Sequence, residues 1–81
     1  MGGLVSKIPQ LVLEKKARDR RDYKNRDIAE ALKLSEAMIS RFLRDRVDMG
    51  SVNLATAIRW AKWLGCHAEE LVEETHAETE N

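Results

Sequence analysis

Between residues 36 and 44, Met38, Ile39, Phe42 and Leu43 recur at helical spacing, which turns Glu36, Ala37, Ser40, Arg41 and Arg44 to the opposite side. That outward set suits the edges of base pairs. Arginine donates two hydrogen bonds to guanine O6 and N7, glutamate accepts from cytosine N4, and short side chains let a helix enter a major groove about 12 Å wide. Each assignment has a plainer alternative. Arg41 and Arg44 could be a solvated helical face, and Glu36 could serve only the positive end of its own helix.

Other chemistries find less support. Cys66, His67 and His76 match no zinc spacing, so no metal is expected. Ser35 and Ser40 have no base arranged as in a triad, and no glycine-rich phosphate loop exists. With 81 residues, the chain is expected to be neither an enzyme nor a cofactor carrier.

The elements that must position the outward set follow from periodicity and punctuation. A first helix is predicted over 8–20, with Ser6 or Lys7 near its cap and Pro9 in the first turn, where a missing N–H costs nothing. Ile8, Leu11, Val12 and Leu13 supply its apolar residues, and three in a row leave the exact face open. A second helix over 25–32 has Ile28, Ala29 and Leu32 as its inward stripe, with Tyr23 placed as a hydrophobic staple. After a break at residues 33–35, Ser35 is suited to cap the third helix. Ala29 is small enough to let these two helices cross closely. Asn53 caps a fourth helix over 54–64, with Leu54, Ala57, Ile58, Ala61 and Leu64 as its stripe and Gly65 as the left-handed stop. A fifth helix is predicted over 68–74, with Leu71 and Val72 inward. No strand signal is apparent.

Trp60 and Trp63 stand on the fourth helix, whose stripe cannot take both fully inward. They mark a candidate subunit interface, with Trp60 the one expected to reach the core. The alternative is that both are partly buried in one monomer.

The formal net charge is zero, but it is unevenly spread. Residues 7–46 hold twelve Lys or Arg against seven Asp or Glu, and residues 47–81 hold two against seven. Such polarity can present a basic face to phosphate. One cysteine cannot form an internal disulfide, no stretch approaches the roughly 20 apolar residues of a membrane span, and residues 1–7 lack a signal-peptide layout. The expected place is the cytoplasm, away from membranes.

The sequence resembles the phage-repressor/Cro-type helix-turn-helix proteins, also called the XRE family, over about residues 8–74. The resemblance rests on polar Asn25, Ile28 with Ala29, the turn at Leu34 and Ser35, and Ile39, Ser40 and Arg41. It continues in Ala61, Lys62, Trp63, Leu64 and Gly65, and ends at Glu70 and Leu71. Two departures stand out. Lys33 occupies a turn position that is usually glycine, and the loop over 45–52 is longer than usual and has no proline.

The resemblance implies an all-α, lambda-repressor-like bundle, here of five short helices containing a helix-turn-helix. It implies that Asn25, Ser35, Arg44 and Arg46 meet the backbone or groove rim while Glu36, Ala37, Ser40 and Arg41 face bases. The expected organisation is an N-terminal segment (1–7), a DNA-binding domain (8–74) and a polar acidic tail (75–81). The expected function is sequence-specific binding of double-stranded DNA as a transcriptional regulator, a repressor acting as a homodimer. The alternative is an antitoxin-type interaction module whose acidic end, with Glu69, Glu70, Glu73, Glu74, Glu78 and Glu80, binds a basic partner such as a toxin.

Overall fold

The computed structural model describes residues 3–44 and 47–75. Strand β1 (Gly3–Ser6) leads into helices α1 (Ile8–Asp19), α2 (Asn25–Leu32) and α3 (Glu36–Arg44). A 3₁₀ turn (Met49–Ser51), helix α4 (Leu54–Leu64), a second 3₁₀ turn (Ala68–Leu71) and strand β2 (Val72–Thr75) complete the order. Among the described residues the architecture is mostly helical, with four α-helices and a small two-stranded sheet.

The sheet and the missing fifth helix are the main departures from expectation. β1 and β2 pair antiparallel, with Gly3 opposite Thr75 and Ser6 opposite Val72. The Lys7 N–H extends the ladder by donating to the Leu71 carbonyl at 2.7 Å. Val5 also bridges to Asp48, so β1 touches both the α3–α4 connection and β2. Helical geometry after residue 67 lasts only through the 3₁₀ turn, where Glu70 accepts from the His67 N–H at 2.7 Å. The chain then extends to meet β1, because pairing satisfies a row of backbone groups that another helical turn would direct elsewhere. The predicted N-terminal segment is therefore part of the fold from Gly3 onward. Residues 76–81 of the predicted tail lie outside the described residues.

The helix boundaries follow their caps. Ser6 accepts from the Ile8 N–H, and Pro9 occupies the first turn of α1. Asp27 reaches back to the Lys24 N–H at 3.0 Å, fixing the start of α2. Ser35 accepts from the Met38 N–H at 3.1 Å at the start of α3, and Asn53 from the Ala55 N–H at 2.7 Å at the start of α4. α1, α2 and α4 all stop on a left-handed residue. Only α4 stops on glycine, Gly65, while Arg20 and Lys33 take φ of 52° and 58° at the other two. Lys33 thus adopts the conformation for which glycine is the usual residue, at a cost of about 1 kcal/mol.

One core holds the helices together. Ile8 and Val12 of α1, Ile28, Ala29 and Leu32 of α2, Ile39 and Phe42 of α3, and Trp60, Ala61 and Leu64 of α4 are buried, with Met49 and Leu71 from the 3₁₀ turns. Two predicted stripes need correction. Leu13 is exposed on α1, which buries Ile8 and Val12 one turn apart instead. On α4, Leu54 and Ile58 are exposed, because the helix is rotated to bury Trp60, the largest of the fully buried side chains.

Candidate nucleic-acid interface

α2 and α3 are joined through residues 33–35 and pack with Ala29 buried between them and the rest of the core. Ile39 is fully buried and Phe42 lies tilted against Trp60 at 5.4 Å between ring centroids. These two anchors fix the rotation of α3. At 100° per residue, the direction opposite Ile39 and Phe42 falls on Ala37, Arg41 and Arg44, all exposed. Ser40 is half-buried on one flank of that crown. Among the described residues, Arg41 and Arg44 have no ion-pair partner.

Glu36 sits off the crown, beside α2. With Ser35 and Leu34 it lines a shallow groove whose other wall is Arg26, Ala29 and Glu30. Its exposed carboxylate lies in the first turn of α3, where it also meets the helix's positive end. Asn25 is exposed in the first turn of α2. Arg46 lies outside the described residues.

Two residues beside the crown were not singled out from sequence. Arg26 is an exposed cation in the groove next to the start of α3. Met38 was assigned to the inward stripe, yet it is 44% exposed. The helical wheel explains the difference: with Ile39, Phe42 and half-buried Leu43 defining the inward direction, Met38 falls at the stripe's edge. It lines a cavity of about 220 Å³ between α3 and the start of α4, with Arg41, Phe42, Val47, Val52 and Thr56 among its neighbours.

The second concentration of positive charge, at the corner between α1 and α2, is partly compensated, although Arg20 and Arg21 there are exposed and outside its ion pairs. Lys15 pairs with Asp19 at 3.1 Å, Lys24 with Asp22 at 3.0 Å and Lys16 with Asp22 at 3.5 Å. Lys15 also lies 4.9 Å from the Trp63 ring and 5.4 Å from Tyr23, whose rings meet edge to face. The Tyr23 hydroxyl donates to Asp19 at 2.7 Å. That hydrogen bond, with Lys15 beside it, holds the Asp19 carboxyl below the usual carboxylate range, and it pushes the Tyr23 phenol up. The Lys24 ammonium, and then Lys16, hold Asp22 low as well.

The two tryptophans differ in burial. Trp60 is fully buried in the monomer core and so presents no surface to a partner. Its indole N–H has no acceptor among the described residues. Trp63 is half-buried under Tyr23 and the Lys15 side chain. Burial, with the Glu70 carboxylate nearby, pushes the Cys66 thiol up, away from a metal-ready thiolate. Among the described residues, no group of three or more His, Cys, Asp or Glu is placed to hold a metal, and His76 lies outside them. No helix among the described residues is long and apolar enough to cross a membrane.

No family model, curated protein or solved structure matches the chain.

Proposed function

We propose that the chain is a sequence-specific, double-stranded-DNA-binding transcriptional regulator in which α2 and α3 act as a helix-turn-helix and α3 is the recognition helix. The observation that carries this reading is the crown of α3. Ala37, Arg41 and Arg44 project from a helix fixed by Ile39 and Phe42, and no neighbouring carboxylate among the described residues neutralises the two arginines. Cations held without partners beside a small side chain suit a groove lined by acceptors and flanked by phosphates. The resemblance to Cro-type proteins over residues 25–44 supports the same docking, with Asn25 and Ser35 near the backbone and Ser40, Arg41 and Glu36 toward base edges.

Repression follows as the simplest mechanism, since a bound protein can block access to a promoter without an effector domain. Acting as a dimer, the protein would place two recognition helices roughly 34 Å apart, one duplex turn. The test is selection from a pool of random duplexes at two salt concentrations, with wild type beside an Arg41→Ala/Arg44→Ala variant. The expected result is a palindromic site, enriched by wild type and lost by the variant. Sequence-indifferent binding that vanishes at moderate salt would sink the reading and direct attention to a protein partner for the acidic end.

A further inference from the structure

We propose that Met38 is a specificity residue, its thioether arm packing on the 5-methyl group of a thymine adjacent to the base read by Arg41. This rests on the reading of α3 as the recognition helix and goes beyond it by naming a residue and the chemical group it reads. Met38 is one of four large hydrophobic side chains left exposed among the described residues, with Leu13, Leu54 and Ile58. Of these four, only Met38 lies on α3. It shares the cavity beside Arg41, whose apolar lining comes from Phe42, Val47 and Val52. An unbranched, polarizable side chain on an apolar shelf adapts to a small apolar partner. In a major groove, the one apolar group that a base pair presents is the thymine methyl. Arg41, bordering the same cavity, brings a donor fork within reach of the neighbouring base.

The experiment uses the duplex that the full chain selects. Each thymine in it is replaced singly by uracil, which removes only the methyl group. Affinity is measured for wild type, Met38→Ala and Met38→Leu. Methionine, alanine and leucine are all good helix formers and the site is half open, so the variants should fold. For wild type, uracil at one position should weaken binding about fourfold, the effect of one apolar carbon leaving contact. Met38→Ala should bind the thymine duplex more weakly and be indifferent to uracil at that position, while Met38→Leu keeps the sensitivity. Two results overturn the inference while leaving sequence-specific binding intact: no thymine matters to wild type, or Met38→Ala responds to uracil as wild type does. Failure to select any site overturns the recognition-helix reading and this inference with it.

Discussion

The basic half of the chain holds two regions that differ in how far their cations are paired. At the α1–α2 corner, Lys15, Lys16 and Lys24 pair with Asp19 and Asp22, and Lys15 lies over the Tyr23 and Trp63 rings. On α3, Arg41 and Arg44 stand exposed without partners among the described residues. Lys15, Lys16 and Lys24 of the corner are engaged within the protein, where Lys15 braces the loop against α4, while Arg20 and Arg21 beside them stay exposed outside these ion pairs. Among the described residues, nothing engages the crown's cations. Counting charges along the sequence cannot separate the two, because an ion pair depends on side-chain geometry while a net charge does not.

The sharpest way to break this contrast is to remove cations from each region in turn. Arg41→Ala/Arg44→Ala should reduce affinity for the selected duplex by about 1–3 kcal/mol per base-reading arginine, with the melting temperature almost unchanged. If instead one arginine touches only phosphate, its loss should weaken all sequences alike and lower the slope of affinity against salt by about one. Lys16→Ala, in the corner, should leave sequence preference intact. An equal loss of preference from both regions would erase the distinction.

The reciprocal prediction concerns stability. Trp63→Ala removes the ring on which Tyr23 and Lys15 rest, and should destabilise the fold by about 2–3 kcal/mol, below the range for fully buried aromatics because Trp63 is only half-buried. Thermal unfolding measures this, and duplex preference at a temperature where the variant remains folded should persist. A variant as stable as wild type would mean that the corner does not brace the fold.

A smaller effect sharpens the comparison at the turn between α2 and α3. Lys33→Gly relieves a left-handed lysine and should stabilise the protein by about 0.5–1 kcal/mol, part of the relief being lost to the greater freedom of glycine in the unfolded chain. In a domain of this size that is a rise in melting temperature of about 2–6 °C. No rise would show that Lys33 gains a compensating interaction in the left-handed state.

The smallest effect is on pH dependence. Asp19 is held below its ordinary pKa by the Tyr23 hydroxyl and Lys15, so its folded form favours the carboxylate. Its contribution is present above the unfolded carboxylate pKa and is lost as pH falls through the lower folded value. Asp19→Asn should therefore flatten the acid side of the stability profile. Tyr23 has the opposite sign. Its raised phenol contributes below the unfolded pKa, and that contribution is lost as pH rises through the folded value. Tyr23→Phe should flatten the alkaline side, and denaturant unfolding across the pH range reads both.

The order of the four described helices and the outward position of Ala37, Arg41 and Arg44 were legible in the sequence, because both depend on neighbours a few residues away, whereas Glu36 and Ser40, expected in the same outward set, lie off the crown and on its flank. The stripe of Ile28, Ala29 and Leu32, the caps at Ser35 and Asn53, and the stop at Gly65 are local facts that the 3.6-residue period exposes. Hence the α2 and α4 ranges coincide with those predicted, and Ala37, Arg41 and Arg44 stand outward. Tertiary structure decided what depends on distant partners. β1 and β2 are four residues each, too short for alternation to show, and they exist because two segments far apart in sequence, Gly3–Ser6 and Val72–Thr75, meet. Which apolar residues of a crowded run go inward was likewise settled by packing. Burying Trp60 turned Leu54 and Ile58 out, and seating Ile39 with Phe42 left Met38 at the edge. A sequence carries its periodicity along the chain, but the choice between adjacent apolar residues belongs to the surface they pack against.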